Sequence, residues 1–345
     1  MSATYQAVLW NRFKKRYDQF LALGVVLVIV LFTVATLIAS PKAHPVQVLI
    51  RAFGFTAIAL LHFILAIGPL ARLDTRLLPL LYNRRHLGVS LFLLAFVHGG
   101  LVLFWYHAMG AVNPIVSVFV SDWGSAPGAV PFQAFGFLAL LILFAMAATS
   151  HDFWLANLSA PVWKTLHMGV YLAYALLVAH VAFGVLQSET NPLYLATLGA
   201  GALTLSGLHI TTGLREAKRD RKESASTEAD GFLDVCAVED IPENRAISAV
   251  LAGERVAVVR HENQISAVSG VCQHQNGPLA EGKVLHGCLT CPWHGYQYDP
   301  ATGASPEPFT EKIPTFETRI RNGRVYVHPQ PKPAGARVEP APIPS

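Results

Sequence analysis

Two short motifs in the second half of the 345-residue chain carry the residue types that hold redox metals: C-Q-H at 272–274 and C-P-W-H at 291–294. A zinc ion would gather all four donors at one tetrahedral point. A binuclear iron–sulfur centre would instead take Cys272 and Cys291 on one iron and His274 and His294 on the other, and exchanging two thiolates for neutral imidazoles raises its potential. The flanks, GPLAEG at 277–282 and HGYQYD at 294–299, weigh against zinc. The other two cysteines, Cys236 and Cys288, fit no ligand position and read as buried thiols, so the four do not form a disulfide scaffold.

A second set of chemistry-bearing residues lies in the first half, where histidines interrupt long apolar runs. His98 sits in AFVHGGL, His167 and His180 in KTLHMGVYLAYALLVAHVAFG, and His86 at the start of the run holding His98. An ionisable residue inside a membrane span marks a functional site by default. His86 to His98 rises about 18 Å and His167 to His180 about 19.5 Å on a helix. Two helices crossing in the same direction thus offer histidines at two matching depths, the requirement for bis-imidazole haem ligation in a bundle core. A histidine satisfied by an interhelical hydrogen bond is the competing explanation for any one of them. His62, in the inner half of the preceding run, competes with His86 as the partner of His167. His44, His107, His151 and His209 lie near span ends, where interfacial roles are expected.

The elements that must hold these residues follow from an uneven composition. With 52% apolar and 14% charged residues and a mean hydropathy of +0.40, a polytopic membrane protein is expected. Apolar stretches fall at roughly 20–40, 47–71, 86–107, 131–150, 164–187 and 192–213, each able to span as a helix. The first lacks a convincing cleavage site and reads as a retained anchor. Residues 1–222 hold 16 Lys/Arg against 7 Asp/Glu, and residues 228–328 hold 8 against 13. The basic residues cluster on alternate loops, which by the positive-inside rule puts both termini on the cytoplasmic side of an inner (cell) membrane. Beyond a polar linker, RVAVVRH at 255–261 and TRIRNGRVYVH at 318–328, with Gly, Asn and Asp at the turns, read as strands of a small antiparallel β domain. The expected organisation is a cytoplasmic segment 1–19, a six-helix membrane bundle 20–213, a linker 214–229, an all-β domain 230–328 and a disordered Pro-rich tail 329–345.

The motifs resemble two known families. RRHLG at 84–88 with His98 ten residues on, ATS at 148–150, and W-K-x-L-H-x-x-x-Y at 163–171 followed by His180 resemble the ferric reductase-like transmembrane domain. Within it the similarity is greatest to the haem-binding membrane subunit of the periplasmic methionine sulfoxide reductase system, and extends more distantly to NADPH oxidases. The resemblance covers roughly residues 45–213 and implies b-type haem on His98, His180 and His167; the matching depths suggest two haems with His86 as the fourth ligand. NADPH oxidases place thirteen residues between the histidines of the third span against eleven here, a difference of about 200° around a helix, which keeps His62 open as an alternative. Over about 230–328 the C-x-H and C-x-x-H flanks resemble the Rieske domain, as found in soluble ferredoxins and ring-hydroxylating oxygenases. That resemblance implies a [2Fe–2S] cluster on Cys272, His274, Cys291 and His294. The branch from cytochrome bc complexes has two further cysteines where this chain has Gly277 and Trp293, and a serine where it has Tyr296. Fewer hydrogen bonds to sulfur imply a potential low in the Rieske range.

Together these features point to transmembrane electron transfer from the cluster through haem to an acceptor across the bilayer, with no separate catalytic residues. No Gly-rich βαβ fingerprint is present, so a cytoplasmic donor such as a flavoprotein reductase, or quinol, is required. The residues after Val327 are too few for an oxygenase iron domain. A membrane-anchored ferredoxin or redox sensor without haem, and a quinone-linked subunit serving a periplasmic reductase, are the alternatives. Nothing points to nucleic acid, and the external acceptor or partner protein is not named by the residues.

Overall fold

The computed structural model describes residues 12–81, 83–120, 130–150, 154, 158, 160–184, 192–220, 230–274, 277–292, 295–307 and 309–344. These fall into two compact units, one containing residues 83–209 and most of the helices before them, the other containing the β strands.

Among the helices, α1 runs Arg12–Ala39, α2 Pro45–Leu73, α3 Leu78–Leu81, α4 Arg84–Val102, α5 Pro114–Val120, α6 Phe132–Ala148, α7 Ala160–Phe183 and α8 Pro192–Asp220, with α3 and the last residues of α8 grouped with the strands. From Phe20 onward helix α1 is apolar on every side and exposes Phe20, Leu23, Val26, Leu27 and Leu31, a surface suited to lipid. Four segments are both long and apolar enough to cross a membrane: Lys15–Ala39, Pro45–Leu73, Arg84–His107 and Thr165–Phe183. Helix α6 is apolar but has 17 residues, and the 29 residues of α8 are diluted by Thr, Gly, Ser and His. The expected count of six spans is therefore met by four segments under these criteria. Two boundaries also move. Helix α1 includes residues assigned to the N-terminal segment, and α8 continues through Asp220 into the expected linker, because nothing in R-E-A-K-R-D breaks a helix. Helix α4 continues as a π-helical turn, Leu103–His107.

The β unit is antiparallel throughout. Strand β1 (Leu233–Ala237), β10 (Arg324–Val327) and β9 (Thr318–Arg321) form one sheet in that order. The other runs β11 (Ala341–Pro342), β4 (Gln264–Ser269), β3 (Glu254–His261), β2 (Arg245–Leu251), β5 (Lys283–Leu285), β6 (Cys288–Thr290) and β7 (Gln297–Tyr298), with β8 (Thr315–Phe316) also on β4. Four hairpins turn in two residues with positive φ at both: Ala252–Gly253, Glu262–Asn263, His286–Gly287 and Asn322–Gly323. That geometry matches the right-handed strand twist and fixes the register of each pair.

The C-terminal stretch corrects the expectation of disorder. Ala341 and Pro342 pair with Ile265 and Gln264, and amides of Lys332, Gly335, Val338 and Ile343 donate to carbonyls of Thr315, Ile313, Ala301 and Asn263. Proline is compatible with an edge strand that need not donate, so its composition did not exclude pairing. Deleting residues 331–345 removes these four bonds and that from Thr315 Oγ1 to the Ala336 carbonyl. At the usual net value per bond this should cost the β unit about 2.5–7.5 kcal/mol, read as a lower unfolding transition by calorimetry; an unchanged transition would contradict the packing.

Candidate redox centres

Two hairpin-borne loops build the site in the β unit. Strand β4 leads to Cys272 and His274, while the tight β5–β6 hairpin leads to Cys291. Gly270 donates to the Arg255 carbonyl and Cys272 to that of Gly277, closing the first loop. Cys291 donates to Tyr296 and Gly295 donates to Cys291, closing the second. Between them Gly282 lies so near the Thr290 carbonyl that a Cβ would stand 2.2 Å from its oxygen, a position only glycine can fill. Cys272, Cys291 and His274 are all buried, in a core with Leu279, Leu289 and Ile313.

The ring of His274 stacks on Tyr296 at 4.7 Å and 11°. Its Nδ1 is buried and takes no hydrogen bond among the described residues, which is costly for a polar atom unless a ligand meets it. Tyr298, also fully buried, accepts from the Gln273 amide at 3.0 Å and lies 3.5 Å from Cys272 Sγ. With the sulfur as a thiolate, the phenol is the donor. Burial, followed by the neighbouring Cys272, holds the Tyr298 hydroxyl protonated. Tyr296, the residue in place of the serine, hydrogen-bonds Glu311.

These residues fit a binuclear cluster. The fourth sequence-expected ligand, His294, and the neighbouring Trp293 lie outside the described residues. Among the described residues no three His, Cys, Asp or Glu side chains converge on one point, as expected where the two thiolates and two imidazoles serve different irons. Cys236 and Cys288 are buried and free of disulfides. Burial pushes the first up to about 12 and the second up to about 11, with Asp240 and Asp299 adding to it respectively, so neither is a reactive thiolate.

In the helical unit the structure brings His98 of α4 and His180 of α7 together, with ring centroids 6.3 Å apart and planes at 84°. His98 Nδ1 donates to the Ile50 carbonyl and His180 Nδ1 to that of Phe132, both at 2.9 Å. Each Nε2 makes no hydrogen bond among the described residues. A metal–imidazole bond is about 2 Å, and a 6.3 Å separation of ring centres is of the size two imidazoles would take on one metal. Anchoring of the distal nitrogen on a carbonyl is how ligating histidines are usually oriented.

The inner histidines are arranged differently. His167 stacks on Trp163 at 3.5 Å and bonds its carbonyl, leaving a buried Nε2 unsatisfied. His86 does not meet it; its Nδ1 pairs with Asp18 of α1 at 2.7 Å. His62 does not either, since it bonds Ile58 and Tyr174. Matching by depth overlooked rotation: 12 residues on α4 and 13 on α7 turn the face by about 120° and 220°, so the inner pair does not lie beneath the outer one. His107, expected at an interface, is buried between Ser117 and Gln133.

Residues 231–317 match the family described as the Rieske [2Fe-2S] domain, and residues 53–178 the family described as the ferric reductase like transmembrane component. The ferredoxin component of the alkene monooxygenase system of Xanthobacter autotrophicus is 30% identical over 103 residues, covering 30% of this chain and 84% of that protein. The anthranilate 1,2-dioxygenase ferredoxin subunit of Burkholderia cepacia is 32% identical, with 27% and 86% covered. Human apoptosis-inducing factor 3 is 29% identical, and there the match spans only 16% of the relative. Among solved structures, a carbazole 1,9a-dioxygenase oxygenase–ferredoxin complex matches at 30% identity, over 30% of this chain and 96% of that one, with a TM-score of 0.28.

The hydrogen bond from Tyr298 to Cys272 sulfur was not foreseen from spacing. It draws electron density from the ligand and favours the reduced cluster. Tyr298→Phe should lower the cluster midpoint by roughly 40 mV, the one-electron equivalent of about 1 kcal/mol. Potentiometric EPR measures it, and an unchanged midpoint would remove Tyr298 from the cluster's surroundings.

Proposed function

The chain belongs to the Rieske [2Fe–2S] domain family over residues 231–317 and to the ferric reductase like transmembrane component family over residues 53–178, and from that premise we propose the path its electrons take. It is a membrane redox protein. Electrons enter from a cytoplasmic donor at the cluster held by Cys272, His274, Cys291 and His294, and leave through b-type haem to an acceptor across the bilayer. The observation that carries this reading is the facing of His98 and His180, each with Nδ1 tied down and Nε2 turned to no protein partner. Haem, when bound there, supplies a one-electron couple inside the membrane.

The chain's own residues do the rest. The Ile50 and Phe132 carbonyls keep Nδ1 protonated on both histidines, leaving Nε2 as the donor atom. His167, with its buried unsatisfied Nε2, is the inner ligand, with His86 or His62 as the partner once its present hydrogen bond rearranges. The six apolar stretches form one bundle in the inner membrane, and the basic loops hold both termini and the cluster domain in the cytoplasm. Such a domain, with no nucleotide fingerprint of its own, takes electrons from a separate reductase.

A quinol-linked variant has one observation in its favour: an apolar groove lined by α1, α2, α4 and α6 has the Asp18–His86 pair and Arg85 along it. A carboxylate–imidazole pair beside apolar walls suits a proton-coupled, lipid-soluble donor.

Purified in detergent, the wild-type protein is expected to show b-type haem absorbance. His98→Ala and His180→Ala should each lose the outer haem while keeping the iron–sulfur EPR signal, and Cys272→Ser should do the reverse. Absence of haem from the wild type would leave a membrane-anchored ferredoxin or redox sensor. Unchanged haem in both histidine variants would overturn the ligand assignment.

A further inference from the structure

The outer histidines are the meeting point of two helical hairpins that repeat one another. Helices α2 and α4 make the first, bridged by the His98–Ile50 hydrogen bond but otherwise in sparse contact, and the closely packed α6 and α7 make the second. R-A-F-G-F at 51–55 returns as Q-A-F-G-F at 133–137, and H-L-G-V at 86–89 returns as H-M-G-V at 167–170. The contacts repeat with the sequence. His98 reaches the Ile50 carbonyl 48 residues before it, and His180 reaches the Phe132 carbonyl at the same separation of 48. One helical turn beyond each carbonyl lies a glycine packed on the ring. A Cβ on Gly54 would stand 3.0 Å from His98 Nδ1 and Cε1, and one on Gly136 would stand 2.8 Å from His180 Nδ1.

Glycine inside a helix is destabilising relative to alanine, and at neither position is φ positive. What each glycine provides is therefore the space the ring occupies. The carbonyl fixes the ring's Nδ1, and the missing Cβ lets the ring lie close against the helix that carries the carbonyl. Together they restrict rotation about the Cβ–Cγ bond of the histidine. Applied once in each hairpin, the device leaves the two ring planes at 84°.

We propose that Gly54 and Gly136, acting with the Ile50 and Phe132 carbonyls, are positioning residues that hold the His98 and His180 rings near perpendicular, the orientation in which both would meet a haem bound between them. This rests on the haem reading above. Perpendicular imidazoles leave the iron dπ orbitals nearly degenerate, so the low-spin ferric haem gives a strongly anisotropic EPR signal with a large maximal g value. Parallel or unrestrained rings give an ordinary rhombic signal.

The test is EPR of the full-length ferric protein in detergent, with the iron–sulfur signal per chain, after reduction, as the measure of intact protein. Wild type should show the large-g signal. Gly54→Ala and Gly136→Ala should each shift it towards the rhombic form or convert haem to high spin, with the iron–sulfur signal kept. Gly24→Ala and Gly199→Ala, where a Cβ meets nothing within 4 Å, should leave it unchanged. Because a new methyl group could prevent accumulation of the protein, His98→Gly supplied with free imidazole is the second variant. The untethered ring should restore low-spin haem without the large-g signal. Wild-type signals in both alanine variants, or a large-g signal from the imidazole-rescued protein, would overturn this inference alone. Wild type without haem would overturn it together with the functional reading.

Discussion

A half-buried imidazole with one nitrogen hydrogen-bonded to a backbone carbonyl has its tautomer decided and its other nitrogen left over, and that constraint underlies the redox reading of the helical unit. His98 and His180 each spend Nδ1 on a carbonyl of the preceding helix of their own hairpin. Each leaves Nε2 without a hydrogen bond among the described residues, the atom a ligating imidazole would offer once its other nitrogen is anchored on a carbonyl. In the β unit the corresponding atom is Nδ1 of His274, buried against Tyr296.

The two units achieve this orientation by different means. Helices have no loop to shape around a cofactor, so the ring positions come from backbone carbonyls and from side chains reduced to hydrogen. The β unit uses tight hairpins of defined register, which deliver Cys272 and Cys291 on short loops closed by their own amides. Tyr298 then reaches Cys272 from β7, and Tyr296 fills the space beside His274. A rigid support of this kind limits reorganisation when an electron arrives or leaves.

Much of this could be read from the sequence because it is local. The C-x-H and C-x-x-H spacings point to Cys272, His274 and Cys291, which the fold buries beside one another, and Gly287, Asn322 and Gly323 mark hairpin turns by residue type. The apolar runs mark helices, though not their ends, since R-E-A-K-R-D continues α8 as readily as it could have begun a linker. Features that depend on what approaches from elsewhere were not legible. Nothing in the spacing of Tyr298 says that its hydroxyl meets a sulfur, and composition alone hid the pairing of Ala341 with Ile265. Depth along a helix says nothing of facing: the rings of His98 and His180 lie 6.3 Å apart, whereas His86 is turned to Asp18 of α1.

The central claim is that cluster and haem form one conducting chain across the bilayer. Stopped-flow reduction of the iron–sulfur centre in the full-length protein, with haem absorbance followed in the same mixing event, tests it most directly. The account predicts that haem is reduced after the cluster at a rate independent of protein concentration. Haem that stays oxidised beside a fully reduced cluster, or that is reduced only as protein concentration rises, would contradict it.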